Sequence, residues 1–267
     1  MRNHIVLALG RSGSNYLANL LNQHPRVTNY GEVLSKWSIP YKLYQKMSLG
    51  NLNLSEYLDF IYSNPAFFYS AHAYSAISHL KRGKPVNFKR WNAMHSIGTK
   101  DFSYSFIKQG ITSYLKDHHE ILVINLYRKN ILKQFISLQK MKADKIVKVI
   151  SPQTSSKNNR NSKIYLDISL TLKTLEKFDR QQREHLDMVS ELPKRQVINI
   201  QYEDFFASSS SEEEYKKEIF RFLGVESFEL QSEHRKILPD KIVDIVENHT
   251  ELNQALEGTR FHLYLDS

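Results

Sequence analysis

Two groups of side chains have the types and spacing to grip an anion, and one carboxylate stands where it could move a proton. The first group, Arg11, Ser12, Gly13, Ser14 and Asn15, follows the apolar run of residues 5–9. Gly10 and Gly13 bracket a tight turn, and Leu17, Leu20 and Leu21 then fall at the i, i+3, i+4 spacing of one helix face. A strand, a small-residue loop and a helix opening near Ser14 aim backbone N–H groups at one point, where the helix N-terminus adds partial positive charge. Phosphate or sulfate fits such a site. The spacing is neither that of the Walker loop nor that of the dinucleotide fingerprint. The second group is Arg128, Lys129 and Asn130, directly after the apolar strand expected over residues 120–127. Lys129, Lys133 and Ser137 are spaced by four, so they line one face of the helix that follows. The carboxylate is Glu32, after Gly31, at the end of a short strand expected over residues 27–30. Parallel-sheet enzymes put their ligands at such strand ends, which makes Glu32 a candidate general base.

The elements that must position these groups alternate strand and helix. Helical stretches with turns at Leu49-Gly50-Asn51 and Asn64-Pro65 fill residues 40–82, a segment dense in Tyr and Phe. Residues 81–84 read as an exposed basic turn. Residues 95–102 read as a strand ending in Thr99, Lys100 and Asp101, and residues 111–118 as a short helix. In the next helix Ile131, Phe135 and Leu138 share one face. Residues 151–163 are polar and aperiodic, which predicts a mobile surface loop. A charged helix over about residues 170–192 leads into a strand over residues 196–201 and the sequence Tyr202-Glu203-Asp204. Residues 208–211 read as a linker into a helix over residues 212–223, and two helices close the chain, from Asp240 and over residues 251–256.

At 267 residues, with 41% hydrophobic and 24% charged residues, the chain has room for one α/β domain with a sizeable core. The formal net charge of +9 favours an anionic partner. Lys and Arg are not massed in blocks among aromatics, so no nucleic-acid partner is expected. The absence of cysteine rules out disulfides and thiolate metal sites. No apolar run reaches the ~18 residues of a membrane span, and Met1 leads straight into a strand. The expected location is cytoplasmic, with no transmembrane segment and with peripheral membrane contact left open.

The succession strand–loop–helix, Gly31-Glu32, Gly98-Thr99-Lys100, Arg128-Lys129-Asn130 and Tyr202-Glu203-Asp204 resembles the sulfotransferases that use 3′-phosphoadenosine 5′-phosphosulfate (PAPS) and release adenosine 3′,5′-bisphosphate (PAP). It is most similar to the bacterial branch acting on nodulation factors and lipopolysaccharide. The resemblance spans nearly the whole chain and is weakest over residues 36–95 and 151–163. It implies a single domain over residues 1–267: a central parallel β-sheet flanked by helices, the P-loop-NTPase-like sulfotransferase fold. Residues 36–95 would form a helical insert on the acceptor side. By resemblance, Arg11, Ser12, Gly13, Ser14 and Asn15, continuing to Tyr16, form the 5′-phosphosulfate loop. Arg128 or Lys129, with Ser137, would bind the 3′-phosphate, and Arg235 and Lys236 would close over the nucleotide. Glu32 matches the catalytic base of related bacterial enzymes, with His72 and His95 as alternatives, because other branches use a histidine. Lys100 lies near the acceptor in the family, and the Tyr202 stretch is structural.

The implied reaction moves a sulfuryl group to a hydroxyl of a carbohydrate or glycolipid acceptor. It needs no metal, and most of the catalysis would come from positioning and charge stabilisation. Two rivals remain at this level. A nucleotide or small-molecule kinase would want the Walker Lys-Ser/Thr and a Mg²⁺-holding Asp, both missing from the loop. A non-catalytic anionic-glycan-binding protein would explain the charge and the aromatics, but not two anion sites at strand ends.

Overall fold

Five apolar runs become the strands of one parallel sheet: β1 (Arg2–Ala8), β2 (Val27–Asn29), β3 (Ser96–Phe102), β4 (Ile121–Tyr127) and β5 (Val197–Gln201). The structure is a computed structural model that describes residues 1–46, 52–81, 83, 86–144, 163–228 and 241–265. The strand order is β2-β3-β1-β4-β5, which puts β1 at the centre. Val6 lies beside Lys100 and Leu7 beside Asp101 on β3, while Asn3 lies beside Ile121 on β4. β1 begins at Arg2, ahead of its apolar run, because Arg2 pairs with Ser96.

The helices are α1 (Ser14–Gln23), α2 (Ile39–Lys46), α3 (Leu54–Ser63), α4 (Pro65–Leu80), α5 (Ser103–Lys108), α6 (Tyr114–Asp117), α7 (Ile131–Asp144), α8 (Ile168–Ser190), α9 (Tyr202–Phe205), α10 (Ser209–Leu223) and α11 (His249–Leu256). Alternate residues of β1 face opposite layers, as the pleat requires. Val6 and Ala8 pack with Leu17, Leu20 and Leu21 of α1 and Ile219, Phe220 and Leu223 of α10. Ile5 and Leu7 pack with Leu58 and Ile61 of α3, Phe106 of α5 and Met188 and Val189 of α8. A third cluster joins Ile131 and Phe135 of α7 to Leu175 of α8 and Leu252 of α11. Burying each such leucine, isoleucine or phenylalanine contributes about 1.5–3 kcal/mol. The chain leaves β1 through α1 for one edge of the sheet, and leaves β4 through α7 and α8 for the other. The two connections lie on opposite faces, so a crevice opens between the C-terminal ends of β1 and β4.

Polar groups within the sheet are matched to one another. The fully buried His4 ring meets Ser96 Oγ at 2.8 Å and Asn29 Nδ2 at 3.1 Å, and burial pushes its pKa down to about 3. A Cβ at Gly98 would stand 2.3 Å from the His4 ring and carbonyl, so only glycine fits beside that histidine. Lys89 is also buried and donates to the carbonyls of Asn22 (2.8 Å), His24 (2.9 Å) and Val27. It ties the end of α1 to the start of β2.

Several local expectations change. Ser208 is the N-cap of α10, its Oγ accepting from Ser211 N at 3.0 Å, so residues 209–211 are helix rather than linker. The helix expected from about Asp240 is only a 3-10 turn, Ile242–Asp244, because Ile164 N and O bond Ile245 O (2.8 Å) and Glu247 N (2.9 Å) in an isolated β-bridge to Val246. Residues 111–118 carry only the single turn α6, and α5 was not expected. The Leu49-Gly50-Asn51 turn, Arg82 and Lys84, most of the 151–163 loop, and Arg235 and Lys236 lie outside the described residues.

Candidate active site

The loop after β1 is held open by its own backbone. Arg11 has φ 64° and Gly13 φ 85°, both left-handed. For a residue with a Cβ that conformation costs about 1–2 kcal/mol, so the surroundings must hold Arg11 in place. Gln134 Nε2 donates to Gly10 O at 2.5 Å, and Arg128 Nη1 donates to Arg11 O at 3.4 Å. Beneath the loop, a Cβ on Gly13 would come within 3.1 Å of the Tyr202 ring and 3.2 Å of Phe206. The α1 N-terminus receives no side-chain cap and has no acidic residue in its first turn, so its positive end stays available. Ser12 Oγ turns inward and donates to Leu9 O at 2.6 Å. Ser14 is buried and Asn15 exposed.

Arg11 reaches across the crevice. Its Nε donates to Ser137 Oγ on α7 at 3.1 Å, and its Nη1 lies 3.6 Å from Met141 Sδ. The two anion-gripping groups read from the sequence as separate cradles are therefore in direct contact. Arg128 is buried (7% exposed), with its guanidinium 4.5 Å over the Tyr202 ring, whereas Lys129 is exposed. Arg128 Nε is 3.9 Å from Glu203 Oε1 and makes no hydrogen bond. Glu203 accepts instead from Lys129 N and Asn130 N, each at 3.0 Å, and so caps α7. Asn130 Oδ1 adds a second cap, on Lys133 N at 2.7 Å. Burial pushes both guanidinium pKa values down, and Arg128 adds to the effect on Arg11. Two partly desolvated cations meeting in one crevice are complementary to an anion.

On the other side of β1, the end of β3 grips the segment that carries Glu32. Lys100 N donates to Gly31 O at 2.9 Å, and Asn29 Oδ1 accepts from Gly31 N at 3.0 Å. Lys100 Nζ donates to Glu32 Oε1 in an ion pair whose lysine side chain is 3% exposed. Glu32 Oε2 is buried without a hydrogen-bond partner. The fully buried Asp101 carboxylate accepts from Leu34 N at 2.9 Å and Val33 N at 3.1 Å. Burial pushes Asp101 up to about 8, against those hydrogen bonds and the Lys100 charge. Tyr104, beside both carboxylates, is raised to about 12, mainly by burial. Glu32 follows β2 and is held at the end of β3, the strand beside β1.

Other residues singled out in the sequence lie elsewhere. The Tyr16 hydroxyl donates to Glu212 and its ring packs on Phe205 and Phe206, so its side chain faces the α9–α10 layer rather than the crevice. His95 precedes β3 and therefore sits at the opposite end of the parallel sheet, with Arg2 N donating to its carbonyl at 2.7 Å. His72 is buried in α4, with Nδ1 2.9 Å from Phe68 O and its ring against Phe68. Neither histidine reaches the strand ends. Asp101 and Gln134 are site-shaping residues that sequence reasoning missed. The signal for Asp101 was an acidic residue near the end of an expected strand, one position before Phe102.

Among the described residues no group of three or more His, Cys, Asp or Glu could hold a metal ion, and no helix is long and apolar enough to cross a membrane. No protein-family model matches the sequence, and no curated protein matches it. Solved structures similar to the chain include three sulfotransferases or sulfotransferase domains. A sulfotransferase from Alicyclobacillus acidocaldarius is 13% identical, covering 100% of this chain and 96% of its own, at a TM-score of 0.45. A sulfotransferase domain from the curacin biosynthetic pathway is 12% identical, covering 100% and 90%, at 0.44. A sulfotransferase domain from the Synechococcus PCC 7002 olefin synthase is 15% identical, covering 99% and 86%, at 0.43.

Proposed function

We propose that this chain is a PAPS-dependent sulfotransferase that moves a sulfuryl group to a hydroxyl of a carbohydrate or glycolipid acceptor. The observation that carries the reading is the convergence of Arg11, Ser137 and Arg128 at the β1/β4 crevice, beside an uncapped helix N-terminus. The buried, unbonded Arg128 Nε fits a phosphate oxygen that would take up its donor. When bound, the nucleotide supplies a sulfuryl group on a mixed anhydride with a good leaving phosphate. The loop N–H groups and Arg11 hold the negative charge that collects on the bridging oxygen, and losing one such donor commonly costs ~2.7–4 kcal/mol. Arg128 with Ser137 holds the 3′-phosphate. Of the two cations left open by the sequence, Arg128 is favoured by its burial beside Arg11, and its fork also suits phosphate better than a point charge does.

Glu32 Oε2 takes the acceptor's hydroxyl proton, a step typically worth ~10²–10⁴-fold. Lys100 holds the other oxygen and keeps the carboxylate aimed, and Asp101 fixes the backbone behind it. Calorimetry with adenosine 3′,5′-bisphosphate against ATP tests the reading. Tight bisphosphate binding that weakens in Arg128→Ala supports it. Preference for ATP would make the chain a kinase, and binding of neither nucleotide would leave a glycan-binding protein.

A further inference from the structure

The sixteen residues of α4 include no Asp, Glu, Lys or Arg, yet most of the helix faces outward. Phe68 and His72 alone are buried. Tyr69, Ala73, Ile77 and Leu80 follow one another at i+4, i+4 and i+3, so they form a continuous exposed stripe. Tyr74 is exposed three residues before Ile77. Phe88, 58% exposed, stacks on Tyr69 at 6.4 Å and lengthens the stripe. Ile77 is 54% and Leu80 68% exposed, a contiguous apolar patch of the kind that marks an interaction surface.

The charge around the patch selects its occupant. Residues 60–100 contain no Asp or Glu but six cations: Lys81, Arg82, Lys84, Lys89, Arg90 and Lys100. Lys89 and Lys100 are used internally, whereas Lys81 and Arg90 are exposed at the two ends of the 81–90 connection. A second copy of the chain, docked by the same patch across a two-fold axis, would set these cations against themselves. An anionic bilayer meets both features: acyl chains accept Ile77 and Leu80, tyrosines suit the headgroup level, and the basic flank faces anionic lipid. We infer that the exposed face of α4, with Phe88, Lys81 and Arg90, docks this protein on an anionic lipid surface. The inference does not depend on the proposed reaction.

Vesicle co-sedimentation of the full chain tests it, with vesicles of phosphatidylcholine alone and of phosphatidylcholine mixed equally with phosphatidylglycerol. The wild type should bind the mixed vesicles and release them at high salt. Ile77→Glu with Leu80→Glu should lower binding about 10-fold or more, and so should Lys81→Glu with Arg90→Glu. All four positions are exposed, and circular dichroism checks that each variant is folded. Equal binding to both vesicle types, or unchanged binding in both variants, would overturn the inference. Concentration-dependent dimerisation abolished by the Ile77/Leu80 variant, without vesicle binding, would assign the face to a second copy.

Discussion

Asp101→Asn separates the charge of the buried carboxyl from its hydrogen bonds. Leu34 N (2.9 Å) and Val33 N (3.1 Å) both point at Oδ1, and an asparagine carbonyl can occupy that position. The substitution therefore keeps both Oδ1 contacts, gives up the longer one from Val33 N to Oδ2 (3.3 Å), and removes ionisation. In the native state burial raises this carboxyl from 3.8 to about 8, so between those values the folded protein binds a proton that the unfolded chain does not. Asp101 accordingly makes native stability fall as pH rises through this window. The slope is about 1 kcal/mol per pH unit at most, between about pH 5 and pH 7. His4 and His185, pushed down to about 3 and about 4 by burial, act in the opposite sense below about pH 6.5. The informative quantity is therefore the difference between wild type and Asp101→Asn in urea unfolding free energy, followed across pH. It should favour the variant increasingly from pH 5 to pH 8. Asp101→Ala, which strands two buried N–H groups at ~1–3 kcal/mol each, should lose ~2–6 kcal/mol throughout. A flat wild-type-minus-Asn difference, or one of opposite slope, would refute the claim that burial dominates this carboxyl.

Glu32→Gln should leave bisphosphate affinity unchanged while sulfuryl-transfer turnover falls by ~10²-fold or more, and near-normal turnover would remove Glu32 as the base. Arg11→Ala should lose both affinity and turnover, the latter by ~10²–10³-fold, when calorimetry is paired with a turnover assay. Glu203→Ala removes the acceptor of two backbone N–H groups at the start of α7. Its urea midpoint should drop by the equivalent of ~2 kcal/mol, and Glu203→Gln should recover only part of that, because Lys129 N and Asn130 N donate to different oxygens and an amide keeps one acceptor. Gly98→Ala pushes a methyl into the His4 ring and should cost ~1–3 kcal/mol or more in thermal unfolding, whereas a neutral result would mean that the sheet can shift there.

What the sequence determined by itself is local. Short apolar runs ended by small, charged or acidic residues located the five strands and their C-terminal ends. The loop of Arg11 to Ser14, Glu32 and the Arg128 turn could be placed because each follows directly from a strand in one-dimensional order. A parallel sheet then brings all its strand ends to one edge. Tertiary structure decided which side chain on each segment points where. One residue along a helix is a turn of about 100°, and one along a strand is the opposite face. That is why Arg128 is buried in the crevice while Lys129 is exposed, and why Tyr16 faces α10. His95, directly ahead of β3, lies at the opposite end of the sheet, as its place at the start of that run implies. The Arg11–Ser137 and Lys100–Glu32 contacts join residues 126 and 68 positions apart. Only the strand order, with β1 beside β4 and β2 beside β3, sets them side by side.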